Sequence, residues 1–296
     1  MDRFLQQVAD GIVNGSIYAL VALALVLIHR TTGLVNFAQG ELAMLSTYVA
    51  WSLLDSGASM PVAVAVTLAA SFAGGALIER VLIRPVESSS PLAIVMITIG
   101  LFISVNSLAA WIWTPIGRPL RPLFGFGGDV FELPAGVRLN GQELTIVAIL
   151  LVVAGALYVF FRLTRIGLLM RAASSNPTSS RLAGVNVGRL LMLGWGLAAT
   201  MGALAGILVA PKLTLSPSLM LIVLIYGFAA ATLGGFDSPL GAVVGGIAVG
   251  LAESLAATYV AFVGSDLKLA VAFALILVVL LVRPAGLFGS RTVHRA

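Results

Sequence analysis

Glu41 and Glu253 are the two carboxylates that stand inside long apolar stretches of this 296-residue chain. An ionised carboxylate surrounded by hydrocarbon costs several kcal/mol, so such a group faces a protein interior or a watered path and is a candidate for handling polar cargo. A protonated or hydrogen-bonded structural group is the other reading, and the residues leave both open. Donors are at hand: Asn36, Gln39 and Ser46 lie near Glu41 in the chain, and Asn14 and Asn106 sit in other apolar stretches; Asn36 and Gln39 join Glu41 and Glu253 as candidates for a translocation path. Ionisable groups inside these stretches are too few to compose a proton relay.

A second group is made of arginines. Arg165-Ile-Gly-Leu-Leu-Met-Arg171-Ala-Ala173, a break at Asn176-Pro177, and Arg181-Leu-Ala-Gly184-Val185-Asn186-Val187 read as two short amphipathic helical pieces joined by a turn. Such a protrusion suits docking in a groove of another protein. Taken singly, each arginine also reads as a determinant of membrane sidedness. A third group is made of glycines four apart: Gly11/Gly15, Gly202/Gly206, Gly241/Gly245 and Gly246/Gly250. That spacing puts both members on one helix face, where backbones can approach closely. Tight packing and the lining of a conduit both remain open for them.

Catalytic chemistry finds no foothold. The chain holds no G-x-x-x-x-G-K-[ST] phosphate loop and no G-x-S-x-G elbow. Cysteine is absent, and His29 and His294 have no companions at metal-ligand spacing, so neither a catalytic residue nor a metal site is expected. Gly194-Trp-Gly196-Leu-Ala-Ala199 matches a dinucleotide fingerprint only in letters, because it lies within an apolar run and not after a strand.

The elements that position these groups follow from composition. Hydrophobic residues make up 59% of the chain and charged residues 10%, against about 25% charged in a soluble domain, and mean hydropathy is +1.08. Residues 11–28, 144–161, 190–211, 213–236 and 269–282 carry no charge. Crossing a bilayer core takes about 20 helical residues, and in lipid each segment must satisfy its own backbone, which forces helix. The expectation is an all-α polytopic membrane protein, a bundle of about nine transmembrane helices (eight to ten). Their approximate limits are 11–28, 34–54, 61–83, 91–113, 144–161, 190–211, 217–234, 239–262 and 267–282. Asn36, Gln39, Gly40 and Glu41 interrupt the second, so it reads as either a full span or a broken, re-entrant one. No stretch is left for a second soluble domain, and residues 1–296 are expected to form one domain.

Alternate loops differ in charge. One set holds Arg30, Arg80, Arg84, Arg162, Arg165, Arg171, Arg181, Arg189, Arg283, Arg291 and Arg295 against Glu79, Glu87 and Asp237. The other holds Arg3, Arg118, Arg121, Arg138, Lys212 and Lys268 against Asp2, Asp10, Asp55, Asp129, Glu132, Glu143 and Asp266. Positive charge favours the cytoplasm, which puts the N-terminus outside and the C-terminus inside. The basic balance therefore reflects sidedness and the lipid bilayer, with no nucleic-acid partner implied. Met1 to Ser16 lacks a basic leader and cleavage site, so no removable signal peptide is expected. In the outer loop 114–143, Val137 to Glu143 reads as a hairpin around an Asn140-Gly141 turn.

Several motifs together resemble a known family. Asn36-Phe-Ala-Gln-Gly-Glu41, Glu79-Arg80 with Arg84-Pro85, and Arg171-Ala-x₃-Asn-Pro177 followed by Arg181-Leu-x-Gly-Val-Asn-Val187 are similar to segments of the inner-membrane permeases of high-affinity branched-chain amino-acid ABC importers (LivH type). So are Gly234-Gly235 before Ser238-Pro-Leu-Gly-Ala242, Gly250-Leu-Ala-Glu253, and Arg283-Pro-x-Gly-Leu-Phe288, in the same order over nearly the whole chain. Val86-Glu87 and Asp237 depart from the family pattern. The resemblance implies a passive transport subunit without its own ATPase site, in a bacterial cytoplasmic (inner) membrane. It implies a LivM-like second permease, two ABC ATPase subunits that bind ATP and Mg, and a periplasmic or lipid-anchored substrate-binding protein. It makes Arg171 to Val187 a cytoplasmic coupling helix docked on the ATPases. Cargo would be leucine, isoleucine and valine, with relatives importing amides or urea as the nearest alternative. An ion-coupled carrier would need a coupling-ion site and often internal repeats, and a channel a filter motif or charged ring; neither is evident.

Overall fold

A computed structural model of the chain describes residues 2–33, 35–86, 90–133, 136–260, 264 and 267–289. It is almost entirely helical. Helix α1 spans Asp2–Thr32, α2 Gln39–Asp55, α3 Met60–Ile78 and α4 Pro91–Trp113. A two-stranded antiparallel hairpin follows, β1 Val130–Leu133 and β2 Val137–Asn140, with Val130 opposite Asn140 and Leu133 opposite Val137. Then come α5 Gly141–Leu163, α6 Arg165–Ser175, α7 Pro177–Leu182, α8 Val187–Leu213, α9 Leu219–Gly234, α10 Pro239–Tyr259 and α11 Lys268–Val282. Each of the nine expected spans coincides with one helix. Among the described residues six, α1, α3, α4, α5, α8 and α10, are individually long and apolar enough to cross a membrane. Helices α9 and α11 are shorter apolar helices of 16 and 15 residues.

The structure departs from the expected elements at four places. Helix α2 is continuous but starts at Gln39, because Asn36 makes a turn whose side-chain oxygen accepts from Ala38 N (3.0 Å). Helix α3 ends in one wide π turn, Glu79–Ile83, and a 3₁₀ turn, Arg84–Val86. Helix α10 stops at Tyr259. The hairpin does not turn at Asn140-Gly141. Asn140 instead caps α5: its Oδ1 accepts from Glu143 N, and Glu143 Oε2 accepts from Asn140 N, each at 2.9 Å, a reciprocal capping box. Gly141 is there because a Cβ would lie 2.1 Å from Phe126 O. Glu87, Asp266, Arg291, His294 and Arg295 lie outside the described residues.

The chain divides into two compact units. In the unit of residues 27–123 and 152–221, α2 is central, packed on α3, α4 and α8. Small residues set those distances: a Cβ on Gly75 would lie 2.5 Å from Trp195 O, and one on Gly206 2.8 Å from Ala43 O. The unit of residues 1–26, 124–151 and 222–296 is drawn together by glycine. A Cβ on Gly15 would lie 2.7 Å from Gly246 O, one on Gly250 2.3 Å from Gly15 N, one on Gly245 2.2 Å from Ala230 O, and one on Gly241 2.3 Å from Gly234 O. Backbones this close exclude any side chain at these positions. In the same unit Gln6 ties the hairpin to α1, its amide exchanging hydrogen bonds with the Arg138 backbone at 2.8 and 2.9 Å.

Candidate functional site

Glu41 lies in the first turn of α2, and its side chain is removed from solvent. Asn106 of α4 donates from Nδ2 to Glu41 Oε2 (3.0 Å) and lies at the same distance from Pro217 O, so one amide joins α2, α4 and the start of α9. Gln39 points elsewhere: its Nε2 donates to Ala198 O of α8 (2.9 Å), and its Oε1 accepts from Asn36 Nδ2 at 3.4 Å. Gly202 makes room for this, since a Cβ there would meet Gln39 Nε2 at 2.6 Å. Asn36, Gln39 and Gly202 thus share one internal network, while Glu41 faces a different seam.

Glu253 occupies the other unit, in α10, 6% exposed. Tyr18 of α1 donates its hydroxyl to Glu253 Oε2 at 2.6 Å. Tyr226 of α9 stacks on Tyr18 with ring centroids 4.5 Å apart. One residue on, Ser254 Oγ donates to the Gln7 backbone carbonyl (2.8 Å) and contacts Gln7 Oε1, which also accepts from Thr258 Oγ1. The hydrogen-bond donor at this carboxylate is thus a phenol and not a guanidinium or ammonium. The partner on α1 is one turn beyond Asn14, which the residue types alone had suggested as a donor.

Arg165 to Val187 forms the expected pair of short helices. Thr164 caps α6 by accepting from Gly167 N (3.0 Å), and Asn176 ends α6 and caps α7 by accepting from Ser179 N (2.9 Å), with Pro177 at the first helical position. Helix α7 closes in a Schellman motif: Gly184 at φ +80° donates to Arg181 O, and Val185 N donates to Ser180 O. Asn186 then caps α8 by accepting from Arg189 N (3.1 Å). Asn176, Pro177, Gly184, Val185 and Asn186 therefore have backbone reasons for their identities. What is left for a partner is the outer face. Gly167, Met170 and Ala173 turn inward, whereas Leu168 and Leu182 are 57% and 86% exposed and Arg165 and Arg181 are exposed too. Arg171 is half-buried, its Nε without a hydrogen-bond partner among the described residues.

This element sits on a built base. Ser174 Oγ donates to Arg30 O, and the Arg30 guanidinium lies 5.3 Å from the Phe161 ring centroid. Arg84 holds the end of α3: its Nη2 and Nε reach both oxygens of fully buried Glu79 at 2.8 and 3.2 Å, and Nη2 also donates to Gly188 O of α8 (2.7 Å). The wide turn Glu79–Ile83 brings Glu79 and Arg84, five residues apart, onto one face. Among the described residues no three His, Cys, Asp or Glu side chains come together as a metal site. Residue types alone missed Tyr18 and Tyr226; their signal was a phenol hydroxyl within an uncharged run, where it needs an acceptor.

Six helices long and apolar enough to cross a bilayer define a multi-pass membrane protein. The family model described as "Branched-chain amino acid transport system / permease component" matches residues 7–280, and the chain belongs to that family. It is 31% identical over 305 residues to the "High-affinity branched-chain amino acid transport system permease protein LivH" of Salmonella typhimurium, covering 99% of this chain and 97% of that protein. The corresponding BraD of Pseudomonas aeruginosa is 30% identical, with 99% and 98% covered. A "Probable branched-chain amino acid transport permease protein LivH" of Methanocaldococcus jannaschii is 29% identical, with 94% and 90% covered. A chain of the solved structure "PsaBC from Streptococcus pneumoniae in complex with Fab" is 11% identical with a TM-score of 0.48, too distant to bear on the reading.

Proposed function

We propose that this chain is the translocation subunit of an ATP-driven importer of leucine, isoleucine and valine, and that residues 1–296 act as one permease domain. The names of its relatives support the cargo, and a family match running through both compact units supports the single domain. Helices α1 to α5 and α8 to α11 cross a bacterial cytoplasmic membrane, with the N-terminus outside and the C-terminus inside, as the arginine distribution favours. A LivM-like permease completes the conduit, a periplasmic or lipid-anchored binding protein delivers cargo, and two ABC ATPase subunits bind ATP and Mg.

The observation that carries the reading is the α6–α7 protrusion, capped at every junction and exposing Leu168, Leu182, Arg165 and Arg181. An apolar, basic helix pair held this firmly suits a groove on a moving partner. Closure of the ATPase pair displaces it and biases the permease between outward- and inward-open states. Asn36, Gln39, Glu41 and Glu253 are the path candidates, Asn36 and Gln39 also holding the start of α2, and Gly202, Gly206, Gly241, Gly245, Gly246 and Gly250 set helix distances. Reconstitution of the chain with its subunits tests this. Leucine uptake should require ATP and the loaded binding protein, whereas uptake by this chain alone in liposomes overturns the proposal.

A further inference from the structure

Helices α2, α3 and α8 line a cavity of about 140 Å³ within the unit of residues 27–123 and 152–221. Leu45, Val49 and Ile78 make it aliphatic, and Ser46, Thr67 and Ser71 are the polar residues of its lining. It lies deep: Ser46 is the eighth of 17 residues of α2, and Thr67 the eighth of 19 of α3. Helical Ser and Thr at such depth turn their hydroxyls back to the carbonyl one turn earlier. Ser46 does so to Leu42 O and Ser71 to Thr67 O, both at 2.7 Å, and Ser71 Oγ also lies 2.8 Å from Ser46 Oγ. Thr67 differs. It is wholly buried, and its Oγ1 has no hydrogen-bond partner among the described residues. A buried hydroxyl left unpaired keeps its full desolvation cost until an acceptor arrives.

Size limits what that acceptor belongs to. A closed apolar cavity of about 150 Å³ holds one benzene; this cleft, with Ala70 exposed and Leu45, Val49 and Ile78 half-buried, has room for an isobutyl or sec-butyl group with the rest of the molecule toward its open side. We propose that the cavity seats the cargo in transit. The branched side chain of a small aliphatic amino acid rests against Leu45, Val49 and Ile78, and a carboxylate oxygen accepts from Thr67 Oγ1 once a small parting of α2 and α3 uncovers that wholly buried hydroxyl. A lipid acyl chain would match the aliphatic wall but brings nothing for Thr67. A mostly apolar pocket with one aimed polar group is the ordinary form of a small-molecule site. This rests on the proposed import of branched-chain amino acids and adds where in the chain such cargo binds.

Gly74 lines the cavity, and a Cβ there meets nothing within 4 Å, so Gly74→Leu fills the space without striking a neighbour at its first atom. The test is ATP-driven uptake of leucine and of valine by the assembled importer with its binding protein. Gly74→Leu should lower leucine uptake by about tenfold or more and valine uptake distinctly less, as a confined methylene discriminates. Thr67→Val should lower uptake of both, and Thr67→Ser should restore it. Equal loss of both cargoes in Gly74→Leu, no loss in it, or normal uptake by Thr67→Val overturns the cavity assignment while leaving the importer reading in place. Absence of uptake by the unaltered importer overturns both.

Discussion

The hydroxyl of Tyr18 donates to the carboxylate of Glu253 at 2.6 Å, joining α1 to α10 across 235 residues of chain. Glu253→Gln keeps an acceptor for that hydroxyl, so the purified complex should melt near the unaltered temperature while uptake falls. Tyr18→Phe should cost about 1–3 kcal/mol by leaving the buried carboxylate short of a donor. The pair of substitutions should be non-additive in a double-mutant cycle. Normal uptake by Glu253→Gln would leave the carboxylate a purely structural role.

Arg84 answers Glu79, which is wholly buried. Arg84→Ala takes the guanidinium from that carboxylate and should cost about 1–3 kcal/mol, read as lost monodispersity and a lowered melting temperature in detergent. Glu79→Gln combined with Arg84→Met should recover much of the loss. A melting temperature unchanged in Arg84→Ala would show that the pair contributes nothing to holding α3 on α8.

Leu182 is 86% exposed on α7. Replacing a free surface residue shifts stability by only about 0.5 kcal/mol, so Leu182→Glu should insert and fold normally. On the proposed docking, a buried apolar anchor is worth about 2 kcal/mol, and uptake together with cargo-stimulated ATP hydrolysis should drop roughly tenfold or more. Unaltered hydrolysis would remove α7 from the interface. Arg171→Glu, being half-buried, should impair both folding and coupling.

Gly250 and Gly100 make a contrasting pair. A Cβ on Gly250 would lie 2.3 Å from Gly15 N, whereas one on Gly100 meets nothing within 4 Å. Gly250→Leu should separate α1 from α10 and cost about 3 kcal/mol or more. Gly100→Ala should leave the melting temperature unchanged or raise it slightly. Equal melting of the two variants would deny the close approach of α1 and α10.

Much of the architecture was legible in the chain itself because its causes are local. Lipid compels each apolar run to bond its own backbone within four residues, so the apolar helices could be placed from hydropathy and turn residues, and the break between α6 and α7 from Asn176-Pro177. The Asn140-Gly141 pair misled for the same local reason: those letters serve both a hairpin turn and a helix cap, and the backbone of Phe126, packed against Gly141, decides between them. Tertiary structure alone decided that Glu253 answers to Tyr18, that Glu41 and Gln39, two residues apart, face different partners, and that Thr67 is left without one. Hydrophobic periodicity says which residues share a helix face but carries no record of which faces meet, because contacts between helices depend on positions far apart in the chain.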